Sequence, residues 1–169
     1  MKQLGYYFFK GWISVGLYFY YKRIKTVGIT NIPLNKPVLF LSNHQNALLD
    51  VLLIATHTKR KPWYLTRADV FKKELLGPLF RFLQMLPVYR IRDGRAALVH
   101  NGATFKRSAE LLLKYEAILM FPEANHSLKR RVRPLSKGFT RIIFKALEAN
   151  PDLDIQLVPI GQYYQNATE

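Results

Sequence analysis

Apolar runs of two lengths alternate along the chain from residue 36 onward. Short runs bounded by Pro, Gly or polar residues predict five buried β-strands, at 37–42, 62–67, 86–91, 117–122 and 155–160. Longer segments with helical spacing of apolar residues lie between them, at 47–56, about 71–84, about 94–114 and 139–149. Strands that alternate with helices predict an α/β fold, a mostly parallel sheet flanked by helices.

The first 30 residues, MKQLGYYFFKGWISVGLYFYYKRIKTVGIT, differ in kind, because they are rich in aromatic residues and contain no acidic ones. Lys10 interrupts the apolar run, and the remaining stretch 11–21 is too short for a bilayer-spanning helix, which needs about 20 residues. The composition favours a helix in the membrane interface, with rings at headgroup level and basic residues after Tyr21 meeting lipid phosphates. We therefore predict an N-terminal membrane-associated helical segment over 1–30 and an α/β domain over 31–169.

Two other interpretations of the N-terminal segment stay open. An amphipathic helix can dock on its own domain without contacting lipid. A secretory signal peptide ranks lower, because no small-residue cleavage site follows the apolar run. The polar end GQYYQNATE suits either a natural terminus or a chain that is cut short.

The net charge of +15 predicts an anionic partner, which could be a phosphate-bearing substrate, nucleic acid or an anionic lipid surface. Nucleic acid is disfavoured, because no recognition motif is present and the aromatic residues concentrate in the N-terminal segment.

The absence of cysteine excludes disulfides, Cys-based zinc sites and cysteine nucleophiles. The four histidines lack metal-site spacing, and no Gly-x-Ser-x-Gly nucleophile motif occurs, so no metal is predicted.

The stretch SNHQNALLD places a histidine and an aspartate directly after the first predicted strand. On one continuous helix, His44 and Asp50 would be about 240° apart around the axis, so they can pair only if His44 precedes the helix. Ser42, Asn43 and Asn46 are plausible capping residues for such a helix. Asp50 could then orient one imidazole nitrogen and leave the other as a base. A purely structural His–Asp pair is the alternative.

The stretch MFPEANHS follows the fourth predicted strand and carries Glu123. A charged residue that leaves an apolar strand needs a partner, either a basic residue or a substrate hydroxyl. Basic residues cluster after the third and fourth strands and include Arg90 beside the presumed sheet edge. Lys137 directly precedes a predicted helix start, where backbone amides can bind phosphate. Arg90 and Lys137 are therefore the candidate phosphate contacts.

Four blocks, SNHQNALLD, PVYR, FPEANHS and LVPI, occur in this order between about residues 24 and 160. Together they resemble the glycerophospholipid acyltransferase family, the lysophosphatidate acyltransferases and their relatives. The family transfers a fatty acyl group from a coenzyme A or acyl carrier protein thioester to a glycerophosphate hydroxyl. The resemblance implies that an acyl-CoA or acyl carrier protein thioester is the co-substrate. It also implies that no metal, cofactor or covalent intermediate is needed.

The resemblance also implies site roles. His44 would be the general base and Asp50 its orienting partner, with backbone amides around Asn46 and Ala47 as candidate oxyanion donors. The other implied substrate-binding residues are Arg90 and Lys137 at phosphate, Glu123 at the acceptor, and His126 where the family has an arginine.

Three departures from the family pattern are visible in the sequence. Five residues rather than four separate His44 from Asp50, and Ala124 stands where the family has glycine. His126 stands where the family has a phosphate-binding arginine, unless Lys129 or Arg130 takes that place. If the backbone at Ala124 needs a positive φ, that residue is strained.

A lysophosphatidate is the leading acceptor, with glycerol 3-phosphate or an amino-acid-derived lyso-lipid as alternatives. A nonenzymatic, basic, membrane-surface lipid-binding protein is the competing function. We expect the protein at the cytoplasmic face of the inner (plasma) membrane, with membrane lipid and an acyl-CoA or acyl carrier protein donor as partners.

Overall fold

The computed structural model describes residues 2–72, 77–125, 127, 131 and 133–165. The α-helices within these ranges are α1 (Lys2–Tyr20), α2 (Leu49–His57), α3 (Gly77–Phe82), α4 (Asn101–Leu113) and α5 (Gly138–Ala149). The strands are β1 (Val38–Ser42), β2 (Trp63–Arg67), β3 (Met85–Val88), β4 (Ala117–Met120) and β5 (Gln156–Ile160).

The five strands form one sheet in the order β3-β2-β4-β1-β5, and every pairing is parallel. In the register of β1, Leu41 lies beside Met120 of β4, and Ser42 lies beside Ile160 of β5. The predicted α/β fold with a parallel sheet is confirmed. Since parallel strands end at the same edge, the loops after β1, β4 and β5 are neighbours.

Helices cover both faces of the sheet, so its central strands are apolar at nearly every position. Leu39 of β1 and Ile118 of β4 pack with Leu112 of α4 on one face. Phe40 and its neighbours pack with Ile54 of α2 on the other face. The two cores hold the ends of β1 and β4 rigidly side by side.

The helix predicted over 71–84 is shorter in the structure, where α3 covers Gly77–Phe82. A 3₁₀ helix occupies Ala68–Lys72, and residues 73–76 lie outside the described ranges. Pro78 has no amide proton, which is compatible with the first turn of a helix and not with its interior. Pro78 accordingly lies in the first turn of the described helix, α3.

The third strand ends earlier than predicted, at Val88. The residue after Val88 is Tyr89, and the side chain of Asn101 hydrogen-bonds to both of its backbone groups. The Tyr89 amide donates to Asn101 Oδ1 and Asn101 Nδ2 donates to the Tyr89 carbonyl, each at 2.8 Å. The ladder cannot continue where a side chain occupies its hydrogen-bonding groups.

Helix α1 docks on the domain through one side. Tyr6 and Leu17 are buried there, and Lys10 Nζ donates to the Thr58 carbonyl at 2.6 Å. We call the opposite side the outer face of α1; it consists of Leu4, Phe8, Trp12, Val15 and Phe19. These five are all exposed, Phe19 at 82%, and none is polar. Among the helices described, none has the length and apolar character needed to cross a bilayer.

Candidate active site

The carboxyl ends of β4, β1 and β5 bring three loops together, and His44 lies at their centre. Its ring stacks on Phe121, directly after β4, with centroids 4.0 Å apart and an interplanar angle of 21°. The Ser127 amide donates to the His44 carbonyl at 3.0 Å. The loop after β4 therefore holds both the ring and the backbone of His44.

His44 and Asp50 form the pair that the sequence predicted. His44 precedes α2, and Asp50 lies in its first turn, with His44 Nδ1 and Asp50 Oδ2 2.8 Å apart. The aspartate side chain is fully buried, and that of His44 is 14% exposed. A buried carboxylate on Nδ1 favours the tautomer with the proton on that nitrogen and the lone pair on Nε2.

The buried charge of Asp50 is fully hydrogen-bonded. Besides His44, Oδ2 accepts the amides of Gln45 at 2.8 Å and Asn46 at 2.9 Å. The other oxygen, Oδ1, accepts the Tyr164 hydroxyl at 2.5 Å. These donors compensate the desolvation of the carboxylate, and the start of α2 adds a favourable helix dipole.

Asn46 caps α2, one of the three residues considered for that role. Its Oδ1 accepts the amides of Leu48 and Leu49, each at 3.2 Å. The five residues between His44 and Asp50 therefore form a capped turn, and the longer spacing leaves the pair intact. The Asn46 amide, expected as an oxyanion donor, is already bonded to Asp50.

Glu123 has a basic partner, one of the two kinds of partner predicted for it. Arg133 donates to Glu123 Oε2 from Nε at 2.9 Å and from Nη2 at 2.8 Å. The Glu123 side chain is buried, and Arg133 reaches it because the Ser136 amide donates to the Pro122 carbonyl at 2.7 Å. The chain after residue 131 thus returns to the end of β4.

Ala124 has a φ of +62°, in the left-handed region. Its amide donates to the Phe121 carbonyl at 3.1 Å within the tight turn that presents Glu123. The strain expected where alanine replaces the family's glycine is confirmed.

Arg90 lies at the far end of the same sheet edge. Its guanidinium is 3.4 Å from Asp93 Oδ1 and 3.9 Å from Asp69 Oδ2. The pKa of Asp93 is lowered, chiefly by the hydrogen bond from the Arg90 amide. Since β3 is three strands from β1, the ends of these strands are about 14 Å apart. The structure therefore does not bring Arg90 into contact with His44.

Lys137 is exposed and is the residue before α5. The next residue, Gly138, lies against Met120 at the end of β4, so this helix start adjoins the Glu123 loop. His126, the remaining predicted contact, lies outside the described residues. Within the described part of the chain, no three His, Asp or Glu side chains gather as metal ligands.

The loop after β5 contributes residues that the sequence reasoning missed. Asn43 Nδ2 donates to the Gln162 carbonyl at 2.8 Å, and the Gln162 amide donates back to Asn43 Oδ1 at 2.7 Å. These two hydrogen bonds join the loops after β1 and β5 and place Tyr164 against Asp50. The ring of Tyr164 lies 6.2 Å from that of Tyr21. The available signal was position, because Tyr164 follows a strand whose end adjoins that of β1.

Comparison with known proteins finds sequences that are similar to this chain. Residues 23–162 match the Acyltransferase family model. The chain is 27% identical over 161 residues, 95% of its length, to the chloroplastic 1-acyl-sn-glycerol-3-phosphate acyltransferase BAT2 of Brassica napus. It is 28% identical over 130 residues, 76% of its length, to the chloroplastic 1-acyl-sn-glycerol-3-phosphate acyltransferase LPAT1 of Arabidopsis thaliana.

The chain spans less than half of each relative, 44% of the first and 34% of the second. No solved structure matches it significantly. The family match covers most of the chain and includes all four sequence blocks, which confirms the resemblance seen in the sequence. The chain belongs to the glycerophospholipid acyltransferase family.

Proposed function

We propose that this protein transfers a fatty acyl group from a thioester to the free hydroxyl of a lysophosphatidate, with His44 as general base. The observation that carries the proposal is the His44–Asp50 pair, 2.8 Å apart with the carboxylate buried, at the carboxyl ends of the central strands. The names of the two relatives support lysophosphatidate as the acceptor.

The pair suits a direct transfer. As the acceptor oxygen attacks the thioester carbonyl, His44 Nε2 takes the hydroxyl proton, and Asp50 stabilises the imidazolium. The tetrahedral intermediate then collapses, the carbon–sulfur bond breaks, and the leaving thiolate receives the proton from His44. A thioester is already activated, so an oriented hydroxyl and a base suffice.

The developing oxyanion needs backbone donors. Since the Asn46 amide is bonded to Asp50, we assign the role to the Ala47 amide, next along the exposed turn before α2. Asn46 then supports the site by capping α2 and by fixing Asp50.

The loop after β4 is the proposed acceptor site. Glu123 holds the guanidinium of Arg133 beside the His44 loop, and Lys137 adds a second cation at the start of α5. Together with helix amides, these cations suit a phosphate monoester. His126 is a further proposed contact in this loop.

Arg90 is the proposed contact for a phosphate at the far end of the edge. It is paired with Asp93 in the structure, so a bound phosphate would replace a carboxylate as its partner. Its distance from His44 separates this role from that of Arg133.

We propose that the outer face of α1 lies in the membrane interface, at the cytoplasmic face of the inner membrane. Large exposed aromatic side chains in one continuous stripe favour lipid contact over water. The segment following α1 reaches the site, because Tyr21 lies beside Tyr164. The lipid acceptor would then enter from the bilayer and the thioester from the aqueous side.

The test is thiol release from acyl-CoA and acyl carrier protein thioesters, with product identification, by the purified protein in mixed micelles. The acceptor panel contains lysophosphatidate, glycerol 3-phosphate and an amino-acid-derived lyso-lipid. We expect release that depends on lysophosphatidate and yields the diacyl product. Vesicle binding without turnover on any donor and acceptor pair would contradict the proposal and favour the lipid-binding alternative.

A further inference from the structure

Tyr164 contacts the site although it belongs to none of the four sequence blocks. It lies after the last block and outside the residues that match the family model, yet its hydroxyl bonds the most deeply buried charge of the site. The side chain itself is buried, at 8% exposure. A tyrosine placed this way bears on the base without contacting substrate.

We infer that Tyr164 is a positioning residue for the His44–Asp50 pair: its hydroxyl fixes the plane of the Asp50 carboxylate so that Oδ2 faces His44 Nδ1. The inference rests on the proposed role of His44 as base. It adds a third member to the pair, contributed by the loop after β5.

The arrangement of donors around Asp50 explains the role. The three donors to Oδ2 come from consecutive residues, 44–46, all on one side of the carboxylate. The donor to Oδ1 comes from the opposite end of the chain, 114 residues away. Tyr164 therefore opposes tilting of the carboxylate toward the 44–46 turn.

The loop that carries Tyr164 is itself held in place. The reciprocal Asn43–Gln162 hydrogen bonds tie it to the end of β1, two residues before Tyr164. The ring of Tyr21 lies beside that of Tyr164, with centroids 6.2 Å apart and an interplanar angle of 34°. The loop after β5 therefore holds the Tyr164 hydroxyl in a defined position against Asp50.

The Tyr164 hydroxyl also keeps its proton and therefore remains a hydrogen-bond donor. Burial, together with the hydrogen bond to Asp50 and its negative charge, raises the pKa of Tyr164 well above the usual value of 10.0. Among the described residues, Tyr164 and Tyr21 face the pair from the β5 side, and the Glu123–Arg133 ion pair lies in the loop after β4. The phenol stays protonated wherever an acyl-CoA thioester is stable.

A hydrogen bond from Tyr164 draws negative charge away from Asp50 and so weakens its stabilisation of the imidazolium. Tyr164→Phe removes only that hydroxyl. We expect kcat to fall about 10-fold, because the Asp50 carboxylate is then free to tilt toward the 44–46 turn and no longer holds His44 in place. KM for lysophosphatidate should stay within about 2-fold, because substrate contacts are unchanged. We also expect the acid limb of the kcat/KM profile to move to higher pH.

Tyr115→Phe is the matched control, because it removes a hydroxyl from an exposed tyrosine that follows α4, before β4 begins. Its kinetic constants and pH profile should equal those of the unmodified protein. A Tyr164→Phe variant with wild-type kcat and an unmoved acid limb would overturn the inference.

A second substitution covers the case in which Tyr164→Phe fails to fold. Site-specific incorporation of 3-fluorotyrosine at position 164 keeps the hydroxyl and makes it a stronger donor. The acid limb should then move to lower pH, opposite to the phenylalanine variant. Absence of a shift, or a shift to higher pH, would refute a role through the hydrogen bond.

NMR titration of the His44 ring separates this inference from the proposed function, because it needs no turnover. The signal is assigned by its loss in His44→Gln. Opposite displacements of the titration midpoint in the two Tyr164 variants would support the inference even in a protein that shows no acyl transfer. Identical midpoints in all forms would contradict it even in an active enzyme.

Discussion

The residue contacts that build the site are of two kinds, local and distant in sequence. The His44–Asp50 pair is local and follows from helix geometry, since a turn before a helix was the one arrangement that allowed contact. Tyr164 meets Asp50 across 114 residues, and Arg133 meets Glu123 across ten residues. Contacts of this kind depend on strand order and on loop paths, which residue patterns do not specify.

Ala124 provides a test of backbone strain at residue scale. At a φ of +62°, glycine is favoured over alanine, so Ala124→Gly should raise the free energy of unfolding by about 0.5–1 kcal/mol. Chemical denaturation in detergent measures the change. The same substitution at Ala103, exposed in α4, should instead lower stability by up to about 1 kcal/mol. Equal changes in the free energy of unfolding at the two positions would contradict backbone strain at Ala124.

Arg133→Gln tests the ion pair beneath the proposed acceptor site. It leaves the buried carboxylate of Glu123 without its partner and should lower the free energy of unfolding by about 2–3 kcal/mol. The exposed neighbour Arg131→Gln is the control and should change stability by less than about 0.5 kcal/mol. Similar stabilities of the two variants in chemical denaturation would show that the pair does not support the loop.

At the scale of elements, the strands were predictable because the two central ones are buried on both faces and appear as uninterrupted apolar runs. Boundaries were predicted less well where one residue decided them. Pro78 lies in the first turn of the described α3, and Asn101 ends β3 through hydrogen bonds to Tyr89. Helix α1 both docks on the domain and exposes an apolar face, which the sequence offered as separate interpretations.

The outer face of α1 should control vesicle binding. The triple variant Phe8→Ser, Trp12→Ser and Phe19→Ser removes exposed rings without touching the buried Tyr6 or Leu17. Since each ring buried in lipid contributes on the order of 1 kcal/mol or more, affinity for anionic vesicles should fall at least about 100-fold in co-sedimentation.

A matched control removes equally exposed apolar side chains elsewhere. Val27→Ser, Val99→Ser and Phe144→Ser replace residues that are 83%, 78% and 64% exposed and lie outside α1. Its affinity should stay within a few-fold of the unmodified protein. Equal losses in the two triple variants would rule out a specific role for α1.

At the scale of the whole molecule, burial of tyrosines couples stability to alkaline pH. The pKa values of Tyr6, Tyr21, Tyr64 and Tyr164 are raised, in each case chiefly by burial. Above pH 10 the unfolded chain loses these protons while the folded protein keeps them, so this contribution to stability falls as pH rises. The lowered pKa values of Lys10 and Lys61 act in the opposite direction.

A single variant isolates the tyrosine contribution. Tyr64→Phe removes one of these buried phenols while leaving the lysines unchanged. Between pH 9 and 11, the free energy of unfolding of the unmodified protein should fall relative to that of the variant. Parallel stability curves for the two proteins would contradict the assignment.

The most direct test of His44 as general base compares acyl transfer to lysophosphatidate by His44→Ala and by His57→Ala. His57 lies at the other end of α2, bonded to the Leu53 carbonyl, and shares none of the site contacts. We predict that His44→Ala loses at least about 100-fold in kcat while His57→Ala remains close to wild type. Turnover by a folded His44→Ala variant within a few-fold of wild type would contradict the mechanism.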